Sequence, residues 1–182
     1  MKNYIILVFV LPFISCQEKI EAIKVWYYNG IFNRVMAVGC DEIVYLSEKV
    51  DTMEVILEDG NYLPKEAVIL ESIITDKVIL QEIIRELDKA TIIKEDYIED
   101  ARMKCFFTYS TGRVDSLCLE GNAIRGIYND QPVKLSNKFA YLIRNYCGFY
   151  QWMGTSIMPY FDELNDPSFE RKKVISRSGE TY

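Results

Sequence analysis

The sequence predicts an α+β fold: an antiparallel sheet of hairpins with two helices packed on one face. Three observations lead there. Short β-rich segments joined by two-residue turns recur along the chain. Two stretches carry apolar residues at helical spacing. The order strands, helix, strands, helix, with short links, suits an antiparallel sheet covered on one side. Hydrophobic residues make up 49% of the 182 positions, enough to build a core and too many for a disordered chain.

Taken in order, Ile20 to Tyr28 reads as a strand ending in Val25-Trp26-Tyr27-Tyr28. Asn29-Gly30 is the strongest two-residue hairpin turn in the chain, and Ile31 to Val38 is the expected return strand. Residues 39–47 have no clear periodicity. Thr52 to Glu58 alternates as a strand and Asp59-Gly60-Asn61 turns it; Ala67 to Leu70 fits either a further strand or the approach to a helix. Asp76 to Ala90 is the clearest helix. Thr75 is placed to cap it, Leu80, Ile83, Ile84, Leu87 and Ala90 form its apolar stripe, and Gln81, Glu82, Arg85, Glu86 and Lys89 face outward. Its Glu–Arg and Glu–Lys pairs at i,i+3 contribute about 0.3 kcal/mol each, so burial of the stripe decides that it forms.

Arg102 to Tyr109 and Arg113 to Glu120 then make a hairpin turning at Thr111-Gly112, followed by a strand from Ala123 to Tyr128 and, past Asn129-Asp130, one from Pro132 to Leu135. Ser136 is placed to cap a second helix over 137–150, with Phe139, Leu142, Ile143, Tyr146 and Tyr150 on its apolar face. Gly148 costs about 1 kcal/mol inside a helix and is a candidate end point. The domain is expected to run over 20–153, with 154–182 as a polar, loosely attached tail.

The first sixteen residues read differently. Lys2 leads, Tyr4 to Ile14 is an apolar run, and Ser15 precedes Cys16. This is the layout of a secretory signal. The run is too short to cross a bilayer, which takes about 20 residues, and Pro12 would disturb a helix. Phe13 is too large for the −3 position of an ordinary signal-peptidase site. Phe13-Ile14-Ser15-Cys16 resembles the lipobox of bacterial lipoproteins, although Phe13 stands where Leu is usual. The resemblance covers these sixteen residues only. It implies cleavage after residue 15, a diacylglycerol on the Cys16 sulfur, a linker at 16–19, and attachment to the membrane through acylated Cys16; two acyl chains suffice for stable anchoring. Gln17 is not the aspartate of an inner-membrane retention signal, so the outer membrane of a cell envelope is favoured. Gln17-Glu18-Lys19 resembles the short acidic signal that exports some lipoproteins to the surface.

Removing residues 1–15 leaves 167 residues with 20 basic and 27 acidic side chains, a net charge of −7. That balance argues against a nucleic-acid partner, which needs a basic footprint. The chain has no histidine, which excludes Ser-His-Asp and Cys-His nucleophilic sites, histidine-ligated metals and histidine proton shuttles. There is no dinucleotide or phosphate loop. No catalytic residue, metal ligand or cofactor is assigned.

Four further cysteines remain: Cys40, Cys105, Cys118 and Cys147. A two-residue turn at Thr111-Gly112 would set Cys105 opposite Cys118 at a non-hydrogen-bonded pair, where side chains approach closest and a disulfide is possible. The bland reading is two small buried hydrophobes. Glu95, Asp96, Glu99 and Asp100 cluster before this hairpin. Paired carboxylates can hydrolyse glycosides, but neighbouring loop carboxylates are usually solvated charge. Asp41 and Glu42 end a segment and read first as turn residues; Arg113 and Asp115 flank a turn as a surface pair worth little. Trp26, Tyr28 and Trp152 are the aromatics most open to a binding role, since Trp26 and Tyr27 must point to opposite faces of their strand. The sequence favours a non-enzymatic, lipid-tethered module for a protein, peptide or glycan partner. A carboxylate-dependent hydrolase and an envelope inhibitor or self-protection protein stand as alternatives.

Overall fold

The computed structural model describes residues 18–28, 39–41, 43, 53–56, 62–65, 69–94, 100–176 and 178–182, with 53–56 and 62–65 as backbone. The N-terminal signal with Cys16, the Asn29-Gly30 turn and its return strand, the turn at 59–61, and Glu42, Glu95, Asp96 and Glu99 lie outside the described residues.

In chain order the elements are β1 (Ile20–Tyr28), β2 (Met53–Ile56), β3 (Tyr62–Lys65), β4 (Ile69–Ile74), α1 (Lys77–Leu87), β5 (Thr91–Ile92), β6 (Ala101–Tyr109), β7 (Val114–Glu120), β8 (Arg125–Tyr128), β9 (Gln131–Lys134), α2 (Asn137–Tyr146) and α3 (Asp162–Asn165), with 3-10 turns at Phe149–Trp152 and Met158–Tyr160. Seven strands form one sheet in the order β4-β1-β6-β7-β8-β9-β5, and β2 pairs with β3 apart from it. All the pairings are antiparallel. The expected α+β architecture is the one observed.

The sheet has two unlike faces because side chains alternate along each strand. Ile23, Val25 and Tyr27 of β1, Met103, Cys105 and Phe107 of β6, and Leu117 and Leu119 of β7 point toward the helices and join the main core. Trp26 and Tyr28, Ala101, Cys118 and Ile127 belong to a smaller cluster on the other side. The helices close the first face with Ile79, Leu80, Ile83 and Leu87 from α1 and Phe139, Ala140, Leu142 and Ile143 from α2. Each large apolar side chain buried there contributes about 1.5–3 kcal/mol, far more than propensity or surface pairs.

Local chemistry sets the helix limits. Asp76, not Thr75, caps α1: its backbone is extended and its Oδ1 accepts from the Val78 and Ile79 amides at 2.9 and 3.2 Å. Ser136 caps α2, accepting from the Phe139 amide at 3.1 Å. Gly148 stops that helix four residues earlier than expected. Its φ of +82° is a left-handed conformation that glycine adopts without a Cβ penalty, and Tyr150 therefore sits in a 3-10 turn.

Two further expectations are corrected. Tyr109 and Arg113 close the β6–β7 hairpin, with the Tyr109 amide donating to the Arg113 carbonyl at 2.9 Å. The turn thus holds Ser110, Thr111 and Gly112, the last with φ +84°, a three-residue loop ending in a left-handed glycine. One extra residue slips the register by one: Lys104 lies opposite Cys118, and Cys105 opposite Leu117. A one-residue slip sends a side chain to the other face, so Cys105 and Cys118 point away from each other and no Cys105–Cys118 bridge forms. Cys118 is bonded to Cys40 instead, while Cys105 and Cys147 are buried free thiols.

The segment 154–182 is not a loose tail. Met158, Phe161, Leu164 and Val174 are at most 4% exposed and belong to the main core. The Val174 and Tyr182 backbones pair in both directions at 3.0 and 2.9 Å. Four apolar residues scattered through 3-10 and single-turn structure leave no periodic trace, and so the sequence reads as merely polar.

Candidate binding surface

The face of the sheet opposite the helices carries most of the chemistry singled out by sequence. Alternation along β1 places Lys24, Trp26 and Tyr28 on it. Register with β6 brings Lys104 opposite Trp26, and register with β4 brings Glu71 opposite it on the other flank. Trp26 is half-buried. Its indole N–H donates to Glu71 Oε2 at 2.6 Å, and its ring meets the Phe106 ring edge-on at 4.8 Å between centroids. The Lys24 ammonium sits 4.8 Å from the Trp26 ring centre and 5.3 Å from that of Phe106, within cation–π range. The result is an aromatic platform with a cation above it and a carboxylate at its edge.

Beside this platform the face is covered. Ile43 is fully buried against Tyr28, Ala101 and Cys118. Cys40 is bonded to Cys118 with a Cα–Cα separation of 5.8 Å, an ordinary disulfide span. Lys104, only 7% exposed, donates from Nζ to the Cys40 carbonyl at 3.3 Å and lies 3.7 Å from Asp41. Residues 39–47 carry no clear periodicity, and the pairing of Cys40 has no local signal, since its partner Cys118 lies 78 residues later in β7.

The three aromatics proposed from sequence do not share a surface. Trp26 is on the open part of the face. Tyr28 points the same way but is 6% exposed, packed beneath Ile43 and acting as core. Trp152 is 40% exposed and follows α2, away from the Trp26 platform. Tyr27 is buried and donates to the Cys147 carbonyl at 3.0 Å. Burial, with Cys147 nearby, pushes its hydroxyl up to about 12.

A shallow cleft opens at the end of β1, β6 and β7, lined by Tyr28, Arg102, Met103, Glu120, Arg144 and Phe149 among others, with room for about one water molecule. Its two guanidiniums are already engaged. Arg102 pairs with Asp100 at 2.9 Å. Arg144 pairs with buried Glu163, donates to the Gly121 carbonyl, and stacks between Phe149 and Phe161. Tyr150 donates to the same Glu163 at 2.8 Å. Glu120 is the one carboxylate among the described lining residues. The cleft therefore does not bring together the pair of acids that glycoside hydrolysis uses. Of the acidic cluster proposed from sequence, Asp100 is described, and it holds Arg102.

Arg113 and Asp115 form the expected pair at 3.2 Å, but as part of a larger group. Asp115 also accepts from the Tyr128 hydroxyl at 2.6 Å, and Arg113 pairs with Glu18 at 2.7 Å and lies over the Tyr109 ring. Burial and the bond to Asp115 push the Tyr128 hydroxyl up. The free thiols respond to burial in the same way: Cys105 is pushed well up, and Cys147 to about 12. Thiols held that far from ionisation are poor nucleophiles.

Among the described residues no group of three or more Cys, Asp or Glu side chains could hold a metal ion, and no helix is long and apolar enough to cross a membrane. Compared with known protein families, with characterised proteins and with solved structures, the chain gives no match.

Proposed function

We propose that this chain is a lipid-tethered module of a cell envelope, favouring the outer membrane, that binds a protein, peptide or glycan partner and catalyses no reaction. The observation that carries the binding role is the Trp26 platform. A half-exposed indole flanked by Lys24, Phe106 and Glu71 sits on the sheet face opposite the helices. Aromatics with a polar rim are the side chains that anchor interfaces and stack on sugar rings. Two observations support the address. The N-terminal sequence through Cys16 resembles a lipoprotein signal, and the Cys40–Cys118 disulfide suits an oxidising compartment outside the cytoplasm.

Cross-linking in the native envelope, followed by capture of the full-length protein, tests this reading. The wild type is expected to retain a partner that Trp26→Ala loses while keeping its fold. The Cys16→Ala variant is expected to leave the membrane fraction. Equal capture by wild type and Trp26→Ala would rule out the platform as the binding surface.

A further inference from the structure

We infer that the tip of the β6–β7 hairpin lies against the headgroup layer of the membrane that carries the tether, making this the membrane-proximal end of the sheet. The inference rests on the proposed acylation of Cys16 and adds to it where the folded domain meets the lipid. Residues 18 and 19, expected as linker, are fastened to the hairpin tip before β1 begins. The Ser110 amide donates to the Lys19 carbonyl at 2.8 Å, and the Lys19 amide donates to the Ser110 hydroxyl at 3.2 Å. The Thr111 hydroxyl donates to Glu18, and Arg113 pairs with the same carboxylate at 2.7 Å. An exposed ion pair alone holds little. Here it adds to a backbone bond that continues the β1–β6 register one pair beyond Ile20 and Tyr109.

One residue, Gln17, then separates Cys16 from Glu18. Two steps of the chain span at most about 7 Å, roughly the thickness of one headgroup layer. A diacylglycerol sets the Cys16 sulfur where hydrocarbon gives way to headgroups, so Glu18 and the tip bonded to it are held at the outer edge of the polar layer. The chemistry of the tip suits that depth. Ser110, Thr111, Gly112 and Arg113 are all exposed, and they offer two hydroxyls, a bare backbone turn and a guanidinium to phosphate and headgroup oxygens. The far ends of β1, β6 and β7 carry Tyr28, Arg102 and Glu120, so the shallow cleft lies at the pole away from the lipid. Trp26 lies ten residues after Cys16, at most about 33 Å of extended chain. A partner of the platform is therefore met close to the membrane surface.

Photo-labelling from the headgroup layer tests this. Full-length protein purified from the membranes of its host is placed in vesicles of phosphatidylethanolamine and phosphatidylglycerol that carry a photoactivatable group on the headgroup, and labelled peptides are mapped by mass spectrometry. The label is expected on residues 110–114, with residues 120–123 at the far pole unlabelled. A second protein carries about 20 glycine and serine residues inserted between Gln17 and Glu18, a reach of roughly 25 Å. Its label at 110–114 is expected to fall at least about five-fold, as the effective concentration of headgroups at the tip drops, with near-ultraviolet circular dichroism unchanged. Label spread evenly over the surface, label confined to another face, or equal label at 110–114 in the two proteins would each overturn the inference. The Cys16 peptide is read in the same digest. An acylated Cys16 with an unlabelled tip overturns the placement and leaves the tether standing, whereas an unmodified Cys16 removes both.

Discussion

Glu86 shows how a single residue can be half legible. Helical spacing places it on the outer face of α1 and pairs it with Lys89, and that pair forms at 2.7 Å. Yet Glu86 is 4% exposed, because Ser136 and Lys138 arrive from α2 at 3.0 and 3.7 Å. Those partners lie about fifty residues away in sequence, and no window around α1 contains them. Ser136 serves twice, capping α2 through its oxygen and donating its proton to Glu86. Burial alone would push the Glu86 carboxyl up; the bonds from Lys89 and Ser136, with the charges of Lys89 and Lys138, outweigh it and hold the group below its ordinary 4.5. A carboxylate held low in the folded state stabilises the fold above the unfolded value, and that contribution is lost as pH falls through the folded one. Glu86→Gln is therefore expected to lower stability by about 1–2 kcal/mol at neutral pH, with the difference from wild type shrinking below about pH 4.5. Urea unfolding of both proteins from pH 7 to pH 3 checks it.

At the scale of elements, the legible parts are those whose pattern is local. Both helices announce themselves by a stripe of apolar residues and a capping side chain, and both form within a few residues of the expected limits. The strands of the hairpins are legible for the same reason. Their register is not. A turn of two residues or of three changes which cysteine faces which side, and nothing in Ser110-Thr111-Gly112 taken as letters separates the two. The decisive feature is the left-handed Gly112, whose surroundings are open. Gly112→Ala meets no steric clash, so its cost is conformational, about 1 kcal/mol. Thermal unfolding of that variant is expected to show the loss with the β6–β7 register intact. A stability equal to wild type would mean the turn is not held in this conformation.

For the whole molecule, the helix layer is completed by residues 154–182, which the sequence presents as a loosely attached tail. Arg144 and Glu163 are 2% and 1% exposed, and their ion pair ties α2 to α3 in the core. Removing one partner of a buried pair costs about 3–5 kcal/mol, because the other charge is left stranded. Ending the chain at Met153 removes Glu163 together with Met158, Phe161, Leu164 and Val174. The combined loss is comparable to the ~5–15 kcal/mol that separates a domain from its unfolded state. The truncated protein is expected to lose cooperative thermal unfolding and near-ultraviolet circular dichroism. A cooperative transition at the wild-type temperature would show that the segment is not part of the core. On the other side of the sheet, the Cys40–Cys118 bond closes a loop of 78 residues, which constrains the unfolded chain by roughly 4.5 kcal/mol on the loop-entropy account. One sheet thus carries a packed helix layer on one face and a covalently fastened cover beside an aromatic platform on the other. That asymmetry is what the proposed binding role would use.

The tether is the claim on which that role depends, and the mass of the mature N-terminus tests it most directly. Protein extracted from the membranes of its native host, digested and analysed by mass spectrometry, is expected to begin at Cys16 with a diacylglycerol in thioether linkage and to lack residues 1–15. An N-terminal peptide retaining those residues, or beginning at Cys16 with an unmodified thiol, would contradict the account.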